Sequence, residues 1–342
     1  MRPPSLIVRR WEVDACKFHD REIALQKMLA EAEAALRLSV IEDKVQAALN
    51  DLARLKVVEQ RLEEGIAYFA ARSNRLVGSQ SIYLGDHTAV TFLKNGLRIL
   101  IDTRSMDVGV HLLTLGEWEP NYMALFDSLL KVGDTVLDIG ANHGVYALHA
   151  ALAVGPRGKV HAFEPNPRLA RLVDFSLKIN GFGGYATLHP FGVSDAAGIA
   201  RLVFSDAFSG GGAISADQPH AAQKGVECNL VALDTLFADP RFSVDVVKMD
   251  VEGHEGLALR GMRRLLERSP NVKIMMEFGS EMMARSSVGA RETLNMLREI
   301  GFKMWRVGSG GELDAASQEM LLADYHTIQN ILLARDLPRI FD

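Results

Sequence analysis

The sequence has 342 residues, of which 48% are hydrophobic, and its formal net charge is −5. A chain of this length and apolar content can form one large hydrophobic core or two smaller ones. Its basic residues are spread along the sequence and form no patch that could bind a phosphate backbone, which argues against a nucleic-acid partner. The two cysteines, Cys16 and Cys228, form neither a disulfide framework nor a metal cluster, and no apolar run approaches the roughly 18 residues that span a bilayer. We expect a cytoplasmic protein without a membrane span.

Residues 1–75 are predicted to be α-helical. Between Asp20 and Glu64 the sequence contains neither glycine nor proline and is rich in strong helix formers. Steps of three and four residues place one apolar stripe along the helix, interrupted by Glu59: Val45, Ala48, Leu52, Leu55, Leu62, Ile66 and Phe69. An earlier stripe is out of phase with it, which indicates a stutter or a turn near residues 37–44: Leu25, Leu29, Ala32 and Leu36.

Three arrangements would bury this stripe. The helices could pack as a hairpin on their own domain, join other copies in a coiled coil, or lie on a membrane surface. The polar face mixes acidic and basic residues, whereas surface-bound helices are predominantly basic, so the membrane alternative is the weakest. We expect a homo-oligomer assembled through a coiled coil, with the packed hairpin as the alternative.

Residues 76–115 are predicted to be a linker that leads into the main domain. Its clearest element is "AVTFLKNGLRILID", residues 89–102, in which alternating apolar residues flank Asn95 and Gly96. An Asn-Gly pair between two alternating runs is typical of a β-hairpin turn. We therefore expect a hairpin immediately before the main domain, which we place at residues 116–342.

The main domain alternates strand-like apolar runs with helical patterns. The predicted strands are residues 135–140, 159–165, 186–195, 244–251, 272–278 and 302–307, and helices are predicted within residues 166–180 and 253–269. Parallel strands need long crossovers, which helices supply, so this alternation predicts helices on both faces of a mostly parallel sheet. The fold class is α/β, with a Rossmann-like, doubly wound sheet.

Acidic residues stand at the ends of five predicted strands, where ligands bind in doubly wound folds. They are Asp138, Glu164, Asp195, Asp250 and Glu277. A single acid after a strand is ordinary, because aspartate caps helices and forms turns. Five in succession suggest a ligand with several hydroxyl and amine donors and a fixed positive charge.

The first strand is followed by "GANHGV", in which Gly140 and Gly144 allow a tight turn into a helix whose N-terminus would attract an anion. The dinucleotide fingerprint has a middle glycine that this stretch lacks, so a carboxylate fits better than a pyrophosphate. Glu164 ends the next strand, where an acid accepts hydrogen bonds from ribose hydroxyls. These features indicate S-adenosylmethionine as the cofactor; a nicotinamide-dependent oxidoreductase and a non-catalytic cofactor-binding scaffold are the alternatives.

Four stretches resemble, in order and spacing, the FkbM family of S-adenosylmethionine-dependent methyltransferases: "DIGANHGVYALHAA", "HAFEPNPRLARLVDFSLKIN", "VALDTLF" and "VVKMDVEGHEGLALRGMRRLL". The resemblance spans residues 115–335 and implies a class I methyltransferase fold. It also implies O-methylation of a hydroxyl group on a sugar, glycan or other natural product, so the expected partner is a small-molecule or glycan acceptor. His143 departs from the apolar residue that usually follows "GAN" in the family.

The resemblance assigns cofactor-binding roles to individual residues. The methionine part would be held by Asp138, Gly140, Ala141, Asn142 and Gly144. Glu164 would bind the ribose, and Asp195, with Ser194 beside it, the adenine amine. Asp250 would contribute to the same cofactor site.

An unactivated hydroxyl must lose its proton when it is methylated, so a base is expected close to the transferred methyl group. His254 is the first candidate because histidine titrates near neutral pH, and Asp250 and Glu252 share its motif. His143 and His111 are weaker candidates. The predicted site contains no metal, with Mg²⁺ on Asp250 and Glu277 as an alternative.

The segment "DAFSGGGAISADQPHAAQKG", residues 206–225, has no clear periodicity. It is either a plain surface loop or a mobile cover over the acceptor site, hinged at Gly210–Gly212.

Overall fold

A computed structural model describes residues 81–214 and 224–336, together with residues 21, 25–29, 44–46, 48–58 and 60–61. The chain divides into two compact units, residues 1–73 and 74–342. In the first unit every described residue is helical, and the apolar side chains of Leu29, Leu52 and Leu55 are exposed. Several stripe positions lie outside the described residues: Ala32, Leu36, Glu59, Leu62, Ile66 and Phe69. Residues 37–43 of the expected turn also lie outside them, and residue 44 is helical. The coiled coil and the domain limits therefore stay predictions.

The second unit is built from strands and helices in alternation. The strands are β1 Ile82–Gly85, β2 Thr88–Phe92, β3 Arg98–Asp102, β4 Thr135–Ile139, β5 Lys159–Phe163, β6 Ala186–His189, β7 Gly192–Val193, β8 Gly198–Phe204, β9 Ala213–Ile214, β10 Lys224–Val231, β11 Val246–Met249, β12 Lys273–Gly279, β13 Lys303–Val307, β14 Leu313–Ala316 and β15 Ile328–Ala334.

The helices of this unit are α1 Val108–Leu115, α2 Pro120–Leu129, α3 Val145–Val154, α4 Pro167–Ile179, α5 Leu233–Leu236, α6 Glu255–Arg260, α7 Arg263–Glu267, α8 Ser280–Met283, α9 Ala290–Glu299 and α10 Gln318–Ala323. No helix among the described residues is both long enough and apolar enough to cross a bilayer.

The main sheet has the order β14-β13-β15-β12-β11-β4-β5-β6. The five strands from β12 to β6 are parallel, and β15 lies antiparallel between β12 and β13. Side chains of β4 alternate between two buried clusters, since Val136 packs with α2 and α3 on one face and Leu137 with α6, α7 and α9 on the other. The predicted α/β class, with a mostly parallel sheet covered on both faces, is confirmed.

The predicted hairpin is present, with β2 paired to β3 and a turn closed by the Leu93 nitrogen donating to the Leu97 oxygen at 2.8 Å. With β1 it forms a three-stranded sheet that packs on α4, where Leu100 contacts Leu169 and Leu172. The guanidinium of Arg168 on α4 also pairs with the carboxylate of Asp102 at the end of β3. The hairpin thereby fixes the position of residues 102–107, which reach the functional site.

Two predicted elements are divided in the structure. The strand predicted at residues 186–195 ends at His189, because Pro190 has no N–H for the ladder, and β7 then joins a second sheet of order β7-β10-β8-β9. The helix predicted within 253–269 breaks at Gly261, where a Cβ atom would overlap the main-chain oxygen of Ser194. Neither a sheet change nor a backbone contact of this kind leaves a periodic signal in the sequence.

Candidate functional site

The turn after β4 is wedged between two neighbouring strands. The nitrogens of Gly140 and Ala141 both donate to the oxygen of Phe163 at the end of β5, at 3.0 and 2.9 Å. Gly140 has a φ of 82°, and a Cβ atom there would overlap the main-chain oxygen of Asp250, directly after β11. Glycine is therefore required at position 140 both by its conformation and by this close approach.

Glu164 joins the first two loops at the carboxyl edge of the sheet. Its carboxylate accepts from the nitrogen of Asn142 through Oε2 and from the nitrogen of Asn166 through Oε1, both at 2.8 Å. Asn166 in turn caps α4 by accepting from the nitrogen of Arg168 at 3.0 Å. Burial raises the pKa of Glu164 to about 7 in spite of these hydrogen bonds. The group is therefore held rigidly, and a cationic or hydroxyl-bearing ligand would favour its ionised form.

A cavity of about 70 Å³ lies above Glu164. Its polar wall comes from the main sheet and includes Gly140, Asn142, Glu164, Asp250 and Glu252. Its other wall is formed by β8, by the residue before β7 and by the segment between β8 and β9, and it includes Phe191, Leu202, Phe204, Ser209, Gly210 and Gly212. We call this space the Glu164 cavity. Polar groups on one side and an apolar cover on the other are typical of small-molecule sites.

Three carboxylates meet where β11 and β12 end. Oxygens of Asp250, Glu252 and Glu277 lie within 4.8 Å of one another, and we call this group the acid cluster. Burial, together with repulsion from Asp250, raises the pKa of Glu252 to about 7 and that of Glu277 to about 8. The cluster can attract a cation or hold a proton near neutral pH.

Lys248 is the cation that faces the acid cluster among the described residues. Its ammonium lies 3.4 Å from Oδ2 of Asp250 and stands over the rings of Tyr146 and Tyr122, at 4.8 and 5.8 Å. Burial alone would lower the pKa of Lys248, but the surrounding carboxylates raise it, so the ammonium stays charged. The carboxylate oxygens of Asp250 and Glu277 are close enough together to bind Mg²⁺, as the alternative requires. The Lys248 ammonium would compete with Mg²⁺ for the same carboxylates.

Asp138 lies inside β4 and is almost fully buried, at 1% exposure. Its Oδ2 has no hydrogen-bond partner among the described residues, and burial raises its pKa to about 7, with Lys248 acting in the opposite direction. A buried carboxyl oxygen without a partner is costly and calls for a compensating group.

The model of one protein family, the methyltransferase FkbM domain, matches residues 138–304. The match begins at Asp138 and includes the glycine turn, Glu164 and the acid cluster. This domain belongs to the FkbM methyltransferases. No curated protein sequence matches the chain significantly.

Solved structures of methyltransferases are similar to the chain at low identity. An FkbM methyltransferase from Methylobacillus flagellatus is 16% identical with a TM-score of 0.37, over 68% of this chain and 56% of that one. An S-adenosylmethionine-dependent O-methyltransferase from Thermotoga maritima is 14% identical with a TM-score of 0.36, over 77% and 87%. A precorrin-6y C5,15-methyltransferase from Geobacter metallireducens is 13% identical with a TM-score of 0.35, over 63% and 87%.

The FkbM domain brings some of the sequence-predicted cofactor residues together and not others. Gly140, Asn142, Glu164 and Asp250 line the Glu164 cavity. The other predicted residues do not line it: Asp138, Ala141, Gly144, Ser194 and Asp195.

Ser194 and Asp195 have partners within the protein. The carboxylate of Asp195 pairs with the guanidinium of Arg260 on α6, with Oδ2 3.3 Å from Nη1, and the hydroxyl of Ser194 lies 3.0 Å from Nε2 of His254. Both residues lie directly after β7, which is a strand of the second sheet. The role of Asp195 in binding adenine stays a prediction. To bind adenine, its carboxylate would have to release Arg260.

The three candidate histidines differ in their surroundings. His254 is buried against Ser194, burial lowers its pKa, and it lines neither the Glu164 cavity nor the acid cluster. His143 is fully buried between Asn142 and Asp102. His111 is exposed on α1, where its Nδ1 lies 2.9 Å from the Asp107 oxygen and its ring meets Trp118 edge-on. Of the predicted catalytic residues, Asp250 and Glu252 line the cavity.

Four residues beside the acid cluster were not predicted as site residues from the sequence: Lys248, Tyr122, Tyr146 and Glu119. The hydroxyl of Tyr146 donates to Oε2 of Glu119 at 2.8 Å, and Lys248 stands over both tyrosine rings. One signal was available: a lysine inside the apolar run "VVKM" of a central strand is nearly always paired when it is buried. The tyrosines lie on helices with ordinary apolar spacing and gave no such signal.

The glycine-rich segment is placed over the Glu164 cavity. Gly210 and Gly212 line it, and the carboxylate of Asp107 holds the segment by accepting from the nitrogens of Gly210 and Ser209, at 2.8 and 3.2 Å. From the sequence, this segment is either a plain surface loop or a cover over the acceptor site, and in the structure its glycines line the cavity that Glu164 also lines. Residues 215–223 of the segment lie outside the described residues.

Proposed function

We propose that this FkbM domain is an S-adenosylmethionine-dependent O-methyltransferase that acts on a hydroxyl group of a sugar, glycan or other natural-product acceptor. The observation that carries the proposal is the charge of the site. Five wholly or partly buried carboxyl groups lie at or near the carboxyl edge of the sheet, and the ammonium of Lys248 is close to all of them except Glu164: Asp138, Glu164, Asp250, Glu252 and Glu277. Such a set suits a cofactor that carries both an ammonium and a sulfonium.

Individual residues support the parts of this cofactor. Glu164 offers two carboxylate oxygens at the cavity wall, which suits ribose hydroxyls. The Oδ2 atom of Asp138, which has no hydrogen-bond partner among the described residues, and the acid cluster suit the methionine ammonium and the sulfonium. The cofactor, when bound, supplies a methyl group activated by positive charge.

The remaining chemistry belongs to the chain. The protein must hold the acceptor hydroxyl in line with the methyl group, and much of the acceleration can come from this alignment. A carboxylate of the acid cluster then takes the hydroxyl proton; we assign this role to Glu252, with Asp250 beside it, because both line the cavity and the pKa of Glu252 is raised to about 7. A base with such a pKa is matched to neutral pH.

The cofactor assignment is tested by calorimetric titration with S-adenosylhomocysteine and with NAD. Glu164→Gln should weaken S-adenosylhomocysteine binding by about 10-fold or more, because a charge-assisted hydrogen bond is lost. Glu299→Gln, on the exposed face of α9, serves as the matched control. Unchanged affinity in Glu164→Gln would contradict the proposal, and NAD binding without S-adenosylhomocysteine binding would favour the oxidoreductase. Tight binding without turnover on any acceptor would favour the scaffold.

We also propose that the protein is a cytoplasmic homo-oligomer assembled through residues 1–75. The exposed apolar side chains of Leu29, Leu52 and Leu55 support assembly, and the buried free thiol of Cys228 fits a reducing compartment. The acidic site and the net charge of −5 support a small-molecule or glycan acceptor rather than nucleic acid. Light scattering of the full chain and of a truncation starting at residue 76 tests the oligomer, and equal subunit numbers would refute it.

A further inference from the structure

A second cavity opens beside the acid cluster. It has a volume of about 220 Å³ and is formed by the start of α2, the end of β13 and one residue of β15: Glu119, Pro120, Asn121, Tyr122, Val307, Gly308, Ser309 and Asn330. Asn121 and Ser309 are exposed at its mouth, where Nδ2 of Asn121 donates to the oxygen of Ser309 at 2.6 Å. Tyr122, at 6% exposure, lies at its buried end. We call it the Tyr122 cleft.

The buried end of the Tyr122 cleft lies against the acid cluster. Asn330 on β15 is the direct cross-strand partner of Glu277 on β12. The ammonium of Lys248 stands 5.8 Å from the centre of the Tyr122 ring and 3.4 Å from Oδ2 of Asp250. Asp250 also lines the Glu164 cavity, so the acid cluster adjoins both spaces.

Two polar side chains that line the cleft have no hydrogen-bond partner among the described residues. The buried hydroxyl of Tyr122 has no hydrogen-bond partner among the described residues, and neither does the side-chain amide of Asn330 in that part of the chain. A buried hydroxyl without a partner carries a free-energy penalty that a bound hydroxyl would remove. The cleft therefore offers both a space of sufficient volume and a buried hydroxyl that a ligand would satisfy.

Glu119 adds both strain and charge to the wall. Its backbone has φ 45° and ψ 60°, in the left-handed region, although it is not glycine. Such strain is typical of positions that are held for function. Its carboxylate accepts from the Tyr146 hydroxyl and raises the pKa of the buried Tyr122 hydroxyl further above its ordinary value, after burial itself. The Tyr122 hydroxyl is therefore a neutral donor at physiological pH.

We propose that the Tyr122 cleft binds the sugar ring of the acceptor, and that it selects neutral or aminated sugars over acidic ones. This inference rests on the proposed function. A sugar hydroxyl can accept from Tyr122 and exchange hydrogen bonds with the amide of Asn330. Glu119 in the wall and Asp250 at the buried end bring two negative charges to the cleft, and the ammonium of Lys248 offsets one of them, so the remaining negative charge disfavours a carboxylate or phosphate on the ring. A ring held there directs a hydroxyl toward the acid cluster and the cofactor.

The test uses the full chain saturated with S-adenosylhomocysteine and three probes: methyl glucoside, methyl glucosaminide and methyl glucuronide. Calorimetry should detect the first two and not the third. Tyr122→Phe should weaken binding by about 3- to 10-fold, since one hydrogen bond is lost. The same substitution should leave the melting temperature equal or higher, because the removed hydroxyl has no hydrogen-bond partner among the described residues. Tyr185→Phe is the matched control, as its hydroxyl donates to the Ala151 oxygen on α3.

A second variant tests the charge selection. Glu119→Gln keeps an oxygen that can accept from Tyr146 but removes the negative charge, so it should raise the affinity for methyl glucuronide relative to methyl glucoside. Hydrogen exchange on adding methyl glucoside should slow in peptides that cover residues 119–123 and 307–312. The proposal is overturned if none of the probes binds, if glucuronide binds as tightly as glucoside to the unaltered protein, or if Tyr122→Phe has no effect. Failure of S-adenosylhomocysteine to bind would instead overturn the proposed function.

Discussion

The main-chain nitrogen of Asp102 donates to Nε2 of His143 at 3.2 Å, and this contact fixes the state of the imidazole. Because Nε2 accepts, the proton of the neutral ring lies on Nδ1, which donates to Oδ1 of Asn142 at 2.6 Å. Burial lowers the pKa of His143 to about 4, so the ring is neutral at physiological pH. His143 thus connects the end of the hairpin to the glycine turn and lines neither cavity.

This role predicts the effect of replacing the imidazole. His143→Leu leaves the buried nitrogen of Asp102 without an acceptor and should reduce the free energy of unfolding by about 1–3 kcal/mol. Because the Asn142 side chain loses its donor, S-adenosylhomocysteine affinity should fall as well. Urea unfolding and calorimetry measure the two effects, with His326→Leu at an exposed site as the control. A stable variant with normal affinity would show that the contact is dispensable.

The buried carboxyl groups predict a dependence on pH. Their pKa values are raised by burial, to about 7 for Asp138, Glu164 and Glu252 and to about 8 for Glu277, so the folded protein retains protons that the unfolded chain has released. Stability should therefore fall as pH rises toward these values. Buried histidines such as His143 have the opposite effect below their ordinary pKa of 6.5. They are neutral in the folded protein and protonated in the unfolded chain, so their contribution to stability increases as pH rises toward 6.5.

The clearest window for measurement is consequently from about pH 7.5 to 8.5, because there the histidines are almost entirely neutral in both states while Glu277 still titrates. In that range urea unfolding should show decreasing stability of the free protein. S-adenosylhomocysteine carries an ammonium, so its affinity should increase over the same range as the carboxylates ionise. Glu277→Gln should flatten the upper part of the stability profile. A flat profile in the unaltered protein would contradict the burial argument.

The position of the acid cluster predicts which group takes the proton. Glu252→Gln should lower kcat by about 100-fold or more with little change in cofactor affinity. His254→Ala, which removes a ring that lines neither cavity, should reduce kcat far less and act mainly through stability and the Ser194 contact. Single-turnover methyl transfer from radiolabelled cofactor measures both. The opposite order of effects would return the role to His254.

The hold of Asp107 on the glycine-rich segment predicts an effect on cofactor exchange. Asp107→Ala removes the acceptor of the Gly210 and Ser209 nitrogens, so the segment over the Glu164 cavity should open more readily. S-adenosylhomocysteine should dissociate faster by about 10-fold, as expected for the loss of charge-assisted hydrogen bonds. Stopped-flow displacement measures the rate, and Asp127→Ala on α2 is the control. An unchanged rate would mean that the segment does not limit exchange.

Much of this domain could be predicted from sequence because its signals are local. The apolar runs, the Asn95-Gly96 turn and the helix that begins at Pro167 each depend on neighbouring residues, and the structure contains all of them. Acids at the ends of parallel strands meet at one edge by topology alone. For this reason Glu164 and Asp250, which end two different strands, line the same cavity.

What could not be predicted depends on contacts between distant segments. The exchange between sheets at Pro190 moved Asp195 out of the series of strand-end acids and beside Arg260. The antiparallel strand β15 brings Asn330 opposite Glu277. These residues are more than fifty positions apart, and no sequence pattern indicates that they pair. The partners of His143 were likewise hidden, because Asp102 donates through its backbone and not through its side chain.

The contact between Gly140 and the Asp250 oxygen has a consequence for variation in this protein. The two loops touch through backbone atoms, with no room for even a methyl group between them. In a library of all single substitutions, position 140 should therefore reject alanine as firmly as any larger residue, and an alanine there should not be rescued by any side-chain change at position 250. The spacing between the cofactor turn and the acid cluster is thus set by the main chain, and the side chains around it can change without altering that distance.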